Sequence, residues 1–126
     1  METDKQSFKA ALEQFHGTEN YYRMPICGTL YTDGIQFLAT EGKAFWLVTD
    51  ASIVAKSLQE KSGFITVDFK KLTTDEREKL GYAAKVTYSD GNGQVFTTQF
   101  YHLTDFPLET LRLYFIDNIL LLPSEY

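Results

Sequence analysis

Two alternating runs joined by Asp90-Gly91-Asn92-Gly93 constrain this chain more than any other feature. Tyr82, Ala84, Val86 and Tyr88 place apolar side chains at every second residue, the period of one strand face. Val95 to Tyr101 follows as a second strand-forming run. Asparagine and glycine tolerate the backbone conformations that tight hairpins demand, so the two runs are expected to pair antiparallel.

The same period appears in FITVDFK, where Ile65, Val67 and Phe69 alternate with Thr66, Asp68 and Lys70. Thr73 and Glu76 then have capping-box spacing, which predicts a short helix in TTDEREKL. Near the end, Leu111 to Ile116 is apolar on both faces apart from Arg112. Asp117-Asn118 is a two-residue turn candidate, and Ile119 to Leu122 returns as a strand that Pro123 terminates. Leu120 and Leu122 would pack inward. Leu121, on the other face, implies helix cover or a contact with a second copy, so a homodimer is one expectation.

Helical periodicity belongs to the first half. Thr3 and Gln6 suggest a capping box, Phe8, Ala11, Leu12 and Phe15 recur at helical intervals, and His16-Gly17 reads as the stop. GTENYYRMPICG has little periodicity and reads as a long connection anchored by Tyr21, Tyr22, Met24 and Ile26. A second helix is expected from about Asp33, with Ile35 and Leu38 inward and Gly42 as its interruption. Leu47, Ala51, Val54 and Leu58 predict a third from about Lys43 to Glu60, its apolar face widened by Trp46 and Ile53. The expected fold is a single α+β domain over residues 1–126. Its N-terminal helices pack on a four- to five-stranded, largely antiparallel sheet built from the Phe64, Tyr82, Gln94, Leu111 and Ile119 segments.

Composition bounds function only loosely. Hydrophobic residues make up 44% of the 126, which excludes the disordered class. Seventeen acidic residues against 12 basic ones give a net charge of -5. That balance argues against direct nucleic-acid binding, which needs clustered Lys and Arg. The single cysteine, Cys27, allows no internal disulfide and suits a cytoplasmic setting. METDKQSF carries no apolar signal segment, and Ile119 to Leu122 is far short of the roughly 20 residues that span a bilayer. A soluble cytoplasmic protein is expected, without a membrane partner.

Chemical constellations are thin. SDGNGQV echoes a calcium loop, but counting from Asp90 the sixth position is Val95 where glycine is needed, and the twelfth is Tyr101 where glutamate is needed. Cys27, His16 and His102 are scattered, without HExxH or paired cysteines. Phosphate-binding and hydrolase motifs are absent. No catalytic residue, metal or cofactor is therefore assigned. Asp105 and Glu125 stand as acid–base candidates, with Asp105 expected to cap the turn before Pro107. Glu19, Tyr21, Tyr22 and Arg23 form the candidate binding surface, because aromatics beside an arginine are favoured at interface hot spots.

FHGTENYYR, LYTDGIQFLA, SDGNGQV, TDFPLE and LPSEY together resemble a family of small uncharacterised proteins of bacteria, including cyanobacteria, and of phages and other mobile elements. The likeness runs from Phe15 to Tyr126 and is weakest between Val54 and Lys79. It implies a mobile-element or accessory setting and brings no activity or cofactor. The resulting expectation is a small protein-binding or accessory protein. The alternatives are a small hydrolase-like enzyme using acidic residues and a weakly nucleic-acid-associated protein.

Overall fold

The computed structural model describes residues 2–126, with side chains from Lys5 onward. Helix α1 (Glu2–Leu12) is followed by strands β1 (Tyr21–Arg23) and β2 (Leu30–Thr32) and by helices α2 (Asp33–Glu41) and α3 (Phe45–Leu58). Strand β3 (Phe64–Lys71), helix α4 (Thr74–Leu80), and strands β4 (Ala84–Ser89), β5 (Val95–Tyr101), β6 (Thr110–Ile116) and β7 (Ile119–Leu121) complete the chain with a short 3-10 turn at Pro123–Glu125.

All seven strands join one sheet in the order β1-β2-β7-β6-β3-β4-β5. This corrects the expected four- to five-stranded sheet. The five anticipated segments are all strands, but β1 lies inside the expected connection GTENYYRMPICG and β2 lies between it and the helix expected from Asp33. The sheet is mixed, because β2 runs parallel to β7 with Leu30 beside Ile119 and Tyr31 beside Leu120. Three-residue strands are too short to display a period, which is why alternation did not reveal them.

One sheet face meets the helices. Side-chain alternation puts Ile65, Val67, Phe69, Val86, Tyr88, Leu113, Phe115 and Leu120 in the core, against Ile35 and Leu38 of α2 and Leu47, Val48 and Ala51 of α3. Leu122 is also buried. Thus one side of the terminal hairpin is covered by helices. Its turn has the anticipated chemistry, with Asp117 at φ 52° and Asn118 at φ 70°. The Thr73 and Glu76 capping box is present as well, and Gly81 ends α4 at φ 78°.

Helix α1 stops at Leu12 rather than at His16-Gly17. The departing chain tilts Phe15 against Phe37, with ring centres 5.4 Å apart, and Phe8 stacks on the same ring at 5.9 Å. The proposed Thr3 cap falls on a side chain outside those described. Two supposed anchors also face solvent: Ile26 is 73% exposed and Tyr21 57%. Met24 is the buried residue of that segment. Ile53 is likewise exposed, so it does not widen the buried face of α3.

Candidate functional site

The site begins with two carboxylates at the start of α2. Thr32 caps the helix by accepting the Ile35 N–H at 3.3 Å, and its hydroxyl donates to Glu125 Oε1 at 2.6 Å. Glu125 also accepts from the backbone N–H of Gly34 at 3.1 Å and of Leu122 at 2.9 Å. A carboxylate here satisfies orphan donors of the helix and suits its positive end. Two segments distant in sequence, LYTDG and LPSEY, therefore meet in one capping arrangement. Glu125, an acid–base candidate from sequence, is fully engaged in holding β2, α2 and the terminal turn together.

Asp33 does similar work on the opposite side. Its carboxylate accepts from the backbone N–H of Glu19 at 3.0 Å and of Asn20 at 3.2 Å, and from the Tyr22 hydroxyl at 3.1 Å. Thr18 Oγ1 accepts the Asp33 N–H at 2.8 Å. These bonds fold residues 18–20 back onto α2 and place β1 at the sheet edge. The Glu19 N–H, aided by Tyr22 and Asn20, holds the Asp33 carboxyl below its ordinary value, while the bond to Asp33 raises the Tyr22 phenol. A carboxyl whose pKa is depressed by folding stabilises the fold above its unfolded pKa, and that contribution disappears as pH falls through the folded pKa. The thermal midpoint is expected to decline below pH about 4. Asp33→Asn should be less stable than wild type at neutral pH and show a shallower acid decline. Equal acid slopes in calorimetric scans would contradict this role.

Held in this way, β1 extends an apolar row over the sheet face away from the helices. The register runs Arg23, Leu30, Ile119, Ile116, Phe64 across five strands. Tyr21 joins the same face at one end, and Leu121 lies opposite Tyr114. Leu30, Ile116, Ile119, Leu121, Tyr114 and Phe64 are all half-buried. Tyr126 lies edge-on to Phe64 at 5.8 Å and to Tyr114 at 5.5 Å. A shallow groove of about 330 Å³ runs between Tyr21, Ile119, Leu121 and Tyr126.

The four predicted surface residues divide. Tyr21 and Arg23 are exposed on this open face. Tyr22 points the other way, is half-buried and stacks on Tyr31 at 5.4 Å. Glu19 is exposed in the loop that Asp33 restrains. The strand alternation that separates Tyr21 from Tyr22 was invisible while the segment was read as a connection. The apolar neighbours supplied by β6 and β7 were missed as surface residues, although the two-faced hydrophobicity of Leu111 to Leu122 was their signal.

A second concavity, of about 800 Å³, lies beside β5 at the start of α3. Trp46 packs edge-on against Tyr101 at 5.2 Å, and the Tyr101 hydroxyl donates to Asp50 Oδ2 at 2.9 Å. Burial, and then this bond, push the phenol pKa above its ordinary value. Lys71, Arg77 and Asp105 stand around the opening. Thr104, rather than Asp105, makes the turn before Pro107: its Oγ1 accepts the Phe106 N–H at 3.2 Å. The concavities containing Asp105 include neither Glu19 nor a histidine. His102 instead lies tilted against Tyr82 with ring centres 4.6 Å apart, and His16 is exposed beyond α1. Cys27 is half-buried, with Sγ 3.3 Å from Thr29 Oγ1. Among the described residues, no group of three or more His, Cys, Asp or Glu side chains is placed to hold a metal ion. Nor is any helix among them long and apolar enough to cross a membrane.

These features define an α+β protein whose helices cover one face of a mixed sheet while an aromatic and aliphatic row lines the other. Residues 6–126 match a family of unknown function, DUF6876, and the chain belongs to that family. No curated protein and no solved structure gives a match.

Proposed function

We propose that this is a protein-binding accessory protein whose recognition surface is the open sheet face ending in Tyr21 and Arg23. The observation that carries the reading is the cross-strand row Arg23, Leu30, Ile119, Ile116, Phe64, with Tyr21 beside it. Apolar residues on a strand face stabilise the protein most when covered, and here they remain half-buried. Tyrosine and arginine at the margin add the side chains that most often dominate binding energy at protein interfaces. The complementary partner presents apolar side chains to the row and a hydrogen-bond acceptor or carboxylate to Arg23. An accessory role of mobile-element type is part of this proposal and draws only on the resemblance of the sequence motifs.

The test is affinity purification of the tagged protein from its native cells, comparing wild type, Tyr21→Ala/Arg23→Ala and Leu80→Ala. Leu80 is an exposed residue of α4 and serves as the control. Wild type and Leu80→Ala should retain one stoichiometric partner. The double variant should bind it at least about thirtyfold more weakly, equivalent to losing about 2 kcal/mol at a hot spot. Absence of a stoichiometric partner, or equal retention by all three proteins, would overturn the proposal.

A further inference from the structure

The two ends of the sheet are protected very differently. At one end β1 has three residues and carries Arg23, and shortness and charge are both devices that discourage strand pairing. At the other end β5 has seven residues, Val-Phe-Thr-Thr-Gln-Phe-Tyr, with neither charge nor proline. Interior strands carry the charges instead: Lys85 in β4, Asp68, Lys70 and Lys71 in β3, and Arg112 in β6. This is the reverse of a protected edge. The register irregularity opposite Tyr88 and Ser89 affects only the hairpin end of β5, leaving Thr97 to Tyr101 regularly paired with β4. Along the free side of such a strand, alternate N–H and C=O groups point outward without a strand partner. Val95 and Phe100 are 57% and 41% exposed, and Leu103 just beyond the strand is 86% exposed.

We propose that β5 pairs antiparallel with β5 of a second copy across a two-fold axis, joining the two sheets edge to edge. A two-fold makes an antiparallel strand complementary to itself, so no separate receptor surface is required. Charge also favours this occupant. Each copy carries a net charge of -5, so close approach is easiest along an uncharged strip, and β5 supplies one. A register centred on Gln99 sets Thr98 opposite the partner's Phe100 on the open face and Thr97 opposite the partner's Tyr101 on the helix-covered face. Pairs of β-branched and aromatic residues in these positions stabilise antiparallel neighbours. The contact uses neither Tyr21 nor Arg23, so it stands independently of the proposed recognition face.

Sedimentation velocity over a wide concentration series tests the pairing, with Thr98→Lys as the disrupting variant and Ile53→Lys on the exposed side of α3 as the control. Wild type and Ile53→Lys should convert from monomer to dimer, with no larger species. Thr98→Lys replaces the Thr–Phe cross-strand pairs and sets two like charges diagonally across the axis, within reach of each other, and should weaken dimerisation at least about tenfold. A wild type that stays monomeric, assembly past the dimer, or undiminished dimerisation of Thr98→Lys would overturn the proposal. If Thr98→Lys does not fold, amide hydrogen exchange of the wild type decides. The alternate amides of residues 97–101 that face away from β4 should gain protection as concentration rises, and concentration-independent exchange of those amides would overturn the pairing.

Discussion

Phe106→Ala is expected to lose about 4 kcal/mol of stability, the range found for emptying a buried phenylalanine site. Phe106 belongs to TDFPLE, a segment without regular structure, yet its side chain is completely buried. Its ring meets Phe69 of the sheet edge-on at 5.1 Å and Phe8 of α1 at 6.2 Å, also edge-on. Phe8 in turn stacks on Phe37 of α2. One aromatic from an irregular segment thus connects sheet, first helix and second helix. Alanine would leave a cavity among three elements that are each fixed by other contacts, which limits collapse into the space. Such a loss is large against a typical total of about 5–15 kcal/mol. Urea denaturation should show a much lower midpoint with little change in slope. A cost below about 1 kcal/mol would mean that the segment merely lies over the core.

Glu125→Ala is expected to cost about 3 kcal/mol, because one carboxylate satisfies Thr32 Oγ1 and the N–H groups of Gly34 and Leu122. Glu125→Gln should cost less, since its amide oxygen still accepts. Gly34→Ala attacks the same arrangement from the other side. A Cβ at Gly34 would stand 2.6 Å from Leu122 Cδ1 and 2.7 Å from Glu125 Oε1, so the terminal turn must move and its bonds are strained or lost. The two substitutions remove overlapping interactions. The double variant should therefore lose clearly less than the sum of the single losses in denaturant titrations. Strict additivity would show that Glu125 and Gly34 act separately.

These two sites show what local sequence conveys. The β4–β5 hairpin was legible because its turn residues and its alternation agree, and α4 because its capping box lies within four residues. The Asp117-Asn118 turn was legible because few other residue types accept positive φ. The roles of Glu125 and Phe106 were not, since Glu125 bonds to residues more than ninety positions away and Phe106 packs against α1, nearly a hundred positions earlier. Strands β1 and β2 were hidden for a related reason: they are three residues each, and β2 lies in the sheet through a parallel neighbour from the far end of the chain. Consequently the candidate surface was only half visible. Tyr21 and Arg23 could be named, but the separation of Tyr22 from them and the row continuing into β7, β6 and β3 depend on pairing that no local pattern encodes.

The proposed recognition face is tested most directly by photo-crosslinking in native cells with a photoreactive phenylalanine derivative introduced singly at Tyr21, Leu121, Ile53 or Leu80. Tyr21 and Leu121 lie on the open face, whereas Ile53 and Leu80 are on helices α3 and α4. A discrete adduct of one mass, formed from Tyr21 and Leu121 and absent from Ile53 and Leu80, is the predicted result. Failure to form an adduct at either sheet position, or the same adduct from all four positions, would contradict binding through this face.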